Sequence, residues 1–424
     1  QYGVPYTIII FSVISALWYA IHRVRKAYKS EHNYKPNLCF RGIVGLILII
    51  LLIHIPIGIE IYKEWDKSVR PTSYYDTYYG PYFTPNASGL VYNSIPGVPS
   101  AHCSSLIYLQ NGDLLCTWYA GSYEKATDVA IWMSRCHPNM TGEGSLDLDW
   151  SEPEIVADTV NRSEGQPSFY QCPNGRIYLF FQTLTPSGPV FGDWGPDLVS
   201  GWSYATIKYQ YSDDNGYTWS TPEFLRDFYL WTLRNPAVLT KEGHVVLPVE
   251  MEGTSHFLIN EDPDLDGTWQ KYARLRISSS LTQPCITELE NGKLMSVFRT
   301  QAGLIYKSYS NDGGYSWKKP IPMRFPNPDS CVFLTTLADQ RTLILGNIQS
   351  NNRNTLSFIL GDETGQYWSE PSPVKNHTSR SYSYPCMVRL RDDSIVYSYT
   401  NNRWNIGWGR FTPGAVDHMQ ILYG

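Results

Sequence analysis

Short runs of four or five β-favouring residues recur along the chain, each opened by a small or polar residue, often Pro, and closed by a polar turn. Six such turns are evident: Asn111-Gly112, Asn174-Gly175, Glu242-Gly243, Asn291-Gly292, Asp339-Gln340 and Asp392-Asp393. Asn-Gly is a strong hairpin signal, because a two-residue turn needs positive φ at its centre. The second residues of successive turns lie 63, 68, 49, 48 and 53 positions apart. That is the period of a four-stranded propeller blade. The pattern therefore predicts an all-β, six-bladed β-propeller, a fold able to organise a chain of 424 residues around one axis.

The N-terminus follows another rule. Tyr6–Ile21 and Gly42–Ile59 are apolar runs, the second interrupted only by His54 and Pro56. Each approaches the ~20 residues that cross hydrocarbon. Between them stand Arg23, Arg25, Lys26, Lys29, Lys35 and Arg41 against one acid, Glu31. The positive-inside rule places that loop in the cytosol and both termini across the bilayer. Residues 1–63 are thus expected to be a membrane anchor with helices at about 6–21 and 42–60. The alternatives are a signal peptide in the first run, or the second run as the single span. A Tyr- and Pro-rich connector follows over 64–85, then the propeller over 86–424. The last blade is short, and a strand near Gly89–Ile95 is expected to complete it and close the ring. A Gly-, Pro- and Trp-rich insertion, Thr183–Tyr204 with Trp194 and Trp202, should shape one mouth.

Net charge is −5 with both signs mixed, which argues against a nucleic-acid partner. Sequons at Asn86, Asn139, Asn161 and Asn376 fall on the propeller and agree with a lumenal or extracellular location. Of eight cysteines, seven lie in the propeller, with Cys103, Cys285 and Cys386 read as equivalent slots near the axis. An odd seven leaves a free thiol, and Cys136 with Cys172 is the one candidate pair. No Cys or His spacing points to a metal, and no cofactor is expected.

Ser212–Trp219 and Ser310–Trp317 both read S-x-D-x-G-x-[TS]-W. Asp214 and Asp312 should accept turn amides, Gly216 and Gly314 should take the left-handed position, and Trp219 and Trp317 should anchor each turn. Gly361–Trp368 is a degenerate copy, and Asp149-Trp150-Ser151 is the worn tail of another. With these Asp boxes in register with the repeat, the chain resembles the sialidase (neuraminidase) superfamily, in its Asp-box "predicted neuraminidase" branch. The resemblance covers about residues 95–410, including LIYLQNGDLLCTWYAG, DVAIWMSR, FPNPDS and YSYPCMVRL. The membrane hairpin has no counterpart there.

The resemblance implies three arginines on a substrate carboxylate, an Asp acid, and a Tyr nucleophile assisted by Glu. Carried over by position, the first arginine becomes His102, ten residues before Gly112. Arg299, after the Glu288–Leu294 phrase, and Arg353, ahead of the degenerate box, match the other two. Tyr384 matches the nucleophile, with Tyr382 as runner-up, while Gln283 replaces the assisting Glu. Asp128 or Glu124 is the candidate acid, and His102 a possible acid or base near pH 6.5. Gln166, Arg234 and Asn235 lead inner strands and should ring the same mouth as further sugar contacts. The function implied is a membrane-anchored glycoside hydrolase of exo-sialidase type acting on acidic sugars. The alternative is an inactive propeller that binds glycan or serves as a subunit of a membrane complex, favoured by Gln283 and His102.

Overall fold

The computed structural model describes residues 79–140, 146–184, 202, 205–225 and 231–423. The expected anchor, most of the connector and Trp194 lie outside them. Among the described residues no helix is long and apolar enough to cross a membrane.

Six antiparallel sheets form the blades. Blade one comprises Ser100–Tyr108, Leu114–Gly121, Ala130–Cys136 and Glu154–Ala157, and blade two Ser163–Gln171, Ile177–Leu184, Ala205–Ser212 and Glu223–Phe224. In blade three the inner strand is split into Trp231–Leu233 and Val238–Leu239, followed by Val245–Met251, Thr254–Asn260 and Gln270–Leu275. Blade four is Leu281–Glu288, Leu294–Thr300, Leu304–Ser310 and Ile321–Pro326. Blade five is Val332–Thr336, Thr342–Gly346 and Thr355–Gly361, edged by Trp368–Ser369 and Ser372–Asn376. Blade six is Tyr382–Arg389, Ile395–Asn401 and Asn405–Phe411, completed by Ala87–Leu90 from the start of the domain. The closing strand thus begins two residues before the expected one and ends at Leu90; Ile95 instead forms an isolated bridge with Val98. At the far end, Ile421–Leu422 pairs with Trp368–Ser369 of blade five.

The second strand of blade two, IYLFFQTL, is buried along its whole length, because neighbouring blades cover both its faces. The Asp boxes supply part of that cover. Asp214 accepts the Tyr217 and Thr218 amides at 3.1 and 2.8 Å, and Asp312 accepts Ser316 N at 2.9 Å. Trp317 stacks on Phe257 of the preceding blade with centroids 4.2 Å apart. In the degenerate copy Asp362 still accepts Gln366 and Tyr367 amides, and Gly365, at φ +65°, packs against Met295 of blade four. The worn tail keeps the same edge pairing: Ser151 N donates to Arg135 O as Ser220 N does to Tyr211 O.

Four inner strands carry the same irregularity. The register slips by one residue after His102, Gly165, Thr282 and Ser383, and the next residue has positive φ: Cys103 66°, Gln166 46°, Gln283 49° and Tyr384 52°. These are β-bulges, which re-aim a side chain and leave backbone groups unpaired. They also correct the cysteine reading. Cys285 and Cys386 follow a bulge, whereas Cys103 occupies the strained position itself, equivalent to Gln283 and Tyr384. All seven described cysteines are free and buried, so Cys136 and Cys172 do not pair.

Candidate functional site

Two rings meet at the mouth. Nine residues before each turn's second residue stand Cys103, Gln166, Arg234, Gln283, Cys331 and Tyr384. Seven residues after it stand Tyr119, Gln182, Glu250, Arg299, Asn347 and Thr400. Because the strands are antiparallel, the second set ends beside the start of the first. Arg299 faces Thr282, and Thr400 faces Ser383.

Arg299 and Arg353 are brought together on Asp329. Arg299 Nε donates to Asp329 Oδ1 at 2.7 Å, and Arg353 Nη2 donates to the Asp329 carbonyl at 2.8 Å. Arg299 Nη1 also donates to Tyr384 Oη at 2.7 Å and to Gln283 Oε1 at 3.3 Å. The Arg353 guanidinium lies 5.5 Å from the Tyr384 ring centre. Tyr384 is therefore at the mouth among guanidinium groups, whereas Tyr382 packs edge-on against Tyr399 inside blade six.

His102 touches Tyr384, ring centres 4.2 Å apart, and its Nδ1 is 2.8 Å from Thr400 Oγ1. It is 2% exposed. Burial, followed by the charges of Arg403, Arg353, Arg234 and Arg299, pushes its pKa well below the usual histidine range. His102 is thus a neutral imidazole and does not titrate near 6.5.

The two acid candidates part company. Asp128 is exposed as the first residue of DVAIWMSR, just ahead of the Ala130–Cys136 strand, and accepts Ser122 N at 3.0 Å, with no described contact to the arginines. Glu124 is at the mouth: it accepts Trp202 Nε1 at 3.0 Å and pairs with Arg403. Burial pushes its carboxyl up, but Arg403 and the Trp202 bond outweigh that and hold it below the ordinary value. Trp202, one of the described residues of the insertion, lies across Gly165, its ring centre 5.9 Å from that of Tyr119.

Arg234 is buried behind the rim and is not presented at the surface of the mouth. It is 1% exposed and its Nη2 donates to the carbonyls of Ser104, Tyr384 and Pro385 at 3.0, 3.0 and 3.1 Å. Asn235 does the same for Gln283 and Pro284 at 3.1 and 3.0 Å. The reason is the split strand of blade three: the pair fills the break and supplies donors to carbonyls that the bulges of blades one, four and six leave free. Gln166 holds its bulge position, is 5% exposed, and its Oε1 has no partner among the described residues.

Three mouth residues were not singled out from sequence: Asp329, Arg403 and Glu250. Glu250 accepts the Gln283 amide and Thr232 Oγ1, each at 2.6 Å. Burial pushes its carboxyl above the ordinary range, although both bonds and Arg299 pull the other way. The forward count that matches Arg299 also reaches Glu250, so its signal was present. Asp329 was visible only as part of FPNPDS, and Arg403 falls in the Asn401–Asn405 hairpin, which carries none of the six turn signals. Among the described residues no group of His, Cys, Asp or Glu is arranged to hold a metal.

Fold and mouth together define a six-bladed propeller of sialidase-like architecture. The BNR repeat-like domain family matches residues 112–397, and the chain belongs to that family. No curated protein matches it. Among solved structures it is similar to a protein of unknown function from Dyadobacter fermentans DSM 18053, at 16% identity and TM-score 0.64, over 78% of this chain and 99% of that one. It is also similar to the NanB sialidase of Streptococcus pneumoniae, at 13% identity and TM-score 0.61, over 80% of this chain and 71% of that one. The intramolecular trans-sialidase of Ruminococcus gnavus gives 14% and 0.58, over 76% of this chain and 96% of that one. At these identities the likeness is one of fold.

Proposed function

We propose that the chain is a membrane-anchored, sialidase-like glycoside hydrolase whose propeller mouth takes a carboxylated sugar of a glycan. The observation that carries this reading is the convergence of Arg299 and Arg353 on Asp329 beside the strained Tyr384. Guanidinium groups match a carboxylate in geometry and charge. A neutral phenol approaches an anomeric carbon that already carries a carboxylate more easily than an anion does. In the step proposed, Tyr384 Oη bonds to the anomeric carbon as the bond to the aglycone oxygen breaks. The phenol proton passes to the Glu250 carboxylate, because the Gln283 amide cannot accept it, and the leaving oxygen takes a proton from water. The hydroxide so formed attacks the anomeric carbon, the bond to Tyr384 Oη breaks, and Glu250 returns the proton to the phenolate as free sugar leaves. Incubation of the full chain with glycosides of several acidic sugars should release free sugar. Turnover of none of them, with tight binding of one, would overturn hydrolysis.

That outcome is the second reading, a glycan-binding propeller or a subunit of a membrane complex. Gln283 and the remote, Ser122-bonded Asp128 favour it. The anchor and the lumenal or extracellular placement belong to the same proposal. They are supported by the apolar runs and basic loop, and by the exposure of Asn86, Asn139, Asn161 and Asn376. Endoglycosidase treatment of the membrane-expressed chain tests them: a mass loss places the propeller in the lumen, and an unchanged mass places it elsewhere.

A further inference from the structure

Among the described residues none balances the charge of Arg234. It is buried, and a guanidinium cannot shed its proton. Among the described residues only Nη2 is partnered, by three backbone carbonyls that offer partial charge; Nε and Nη1 have no hydrogen-bond partner there. The mouth carboxylates are engaged elsewhere, Asp329 with Arg299, Glu124 with Arg403, and Glu250 with Thr232 and Gln283. The groups that face Arg234 are the thiols of Cys103, Cys331 and Cys386 and the Tyr384 ring, 5.6 Å away. Burial keeps all three thiols protonated, that of Cys103 pushed up to about 12, so none supplies the missing negative charge. Removing an unpaired cation from water is heavily penalised, and two unmet donors add to the penalty.

We propose that Arg234 is an anion site: a monovalent anion of halide size lies in the axial interior beneath Tyr384 and accepts from the N–H groups left without partners. A weakly hydrated guanidinium surrounded by thiols and an aromatic ring suits a soft, weakly hydrated anion such as bromide or chloride. The site is separate from the carboxylate-binding arginines, because Arg234 is closed to the mouth by the Tyr384 and Pro385 backbone that it holds.

Crystals of the full chain soaked in bromide should show an anomalous peak in contact with Arg234 Nε or Nη1. In solution, Tm should rise by about 2 °C for each tenfold increase of bromide above its Kd, against a bulky organic sulfonate at equal ionic strength. Arg299→Ala should keep that rise and Arg234→Gln should lose it. Electron density for water alone at Arg234, without anomalous signal, would overturn the proposal. So would a bromide response that Arg299→Ala abolishes, since that places the anion in the mouth. If Arg234→Gln fails to fold, the soak and the Arg299→Ala comparison decide the matter.

Discussion

Replacing Arg299 by Ala tests the reading of the mouth most directly. The side chain is 18% exposed and makes three bonds, to Asp329, Tyr384 and Gln283. Its ion pair with Asp329 is mostly buried, but the Asp329 side chain, 34% exposed, can take up water once the guanidinium is gone, so the loss of stability should stay near about 1–3 kcal/mol. The variant should therefore fold. Binding is different, because a sugar carboxylate in the mouth would be paired with a guanidinium held away from solvent. Truncating one partner of such a pair costs about 2–5 kcal/mol, a loss of roughly 30- to 4,000-fold in affinity. The assay is calorimetric titration of wild type and Arg299→Ala with an acidic monosaccharide and with its neutral methyl ester. Wild type should prefer the acid, and Arg299→Ala should lose that preference while binding the ester as before. Arg299→Lys keeps the charge without the fork and should fall between the two. Equal losses for acid and ester would refute carboxylate pairing, since they would show that Arg299 shapes the mouth through Tyr384 and Gln283 instead.

Glu250 gives a pH test. Its carboxyl is raised in the folded chain, so the fold binds its proton more tightly than the unfolded chain does, and stability falls as pH climbs from the ordinary 4.5 to the raised value. Urea unfolding across that window should show the decline in wild type and a flatter curve in Glu250→Gln; parallel curves would contradict the shift. Glu250→Gln should also stop turnover while leaving acidic-sugar affinity within a few fold, and unchanged turnover would remove Glu250 as proton acceptor. Gly365→Ala should cost about 2–4 kcal/mol in urea unfolding, from positive φ and from overlap with Met295; a cost under about 0.5 kcal/mol would contradict the packing assigned to the degenerate box. Thiol alkylation without reductant should leave the seven described cysteines unmodified in the native chain and label all of them after denaturation; protection of Cys136 and Cys172 in the denatured chain would mean a disulfide.

The architecture was legible because turns are local. Asn-Gly and its relatives fix backbone geometry over four residues, and six of them 48 to 68 residues apart leave few folds open. Asp214 and Asp312 were legible for the same reason, since each bonds to its own turn. The mouth was half legible. Arg299 and Glu250 lie the same distance after their turns, but the resemblance carried a role over onto Arg299 and none onto Glu250. Arg234 was misplaced because counting assumes equal strands. Blade three breaks its inner strand at this point, and the side chain is carried off the rim into the axis. The neutral state of His102 depends first on burial and then on four arginines from blades three to six, which a linear reading does not bring together.

The bulges link these observations. Each holds a non-glycine residue at positive φ and frees carbonyls that would otherwise pair within the blade. Arg234 and Asn235 meet that demand from blade three, bonding carbonyls of Ser104, Gln283, Pro284, Tyr384 and Pro385. Strain at Tyr384 and Gln283 is thus tied to two buried donors, and the donors in turn require the break in blade three. Replacement of Asn235 by Ala should therefore act at a distance. It unpairs the Gln283 and Pro284 carbonyls, which costs about 1–3 kcal/mol of stability. It should also loosen the Gln283 side chain that Arg299 contacts at 3.3 Å. Acidic-sugar affinity should fall in Asn235→Ala although residue 235 is buried and reaches no ligand. Loss of stability with unchanged affinity would separate the bulges from the mouth and make them a matter of folding alone.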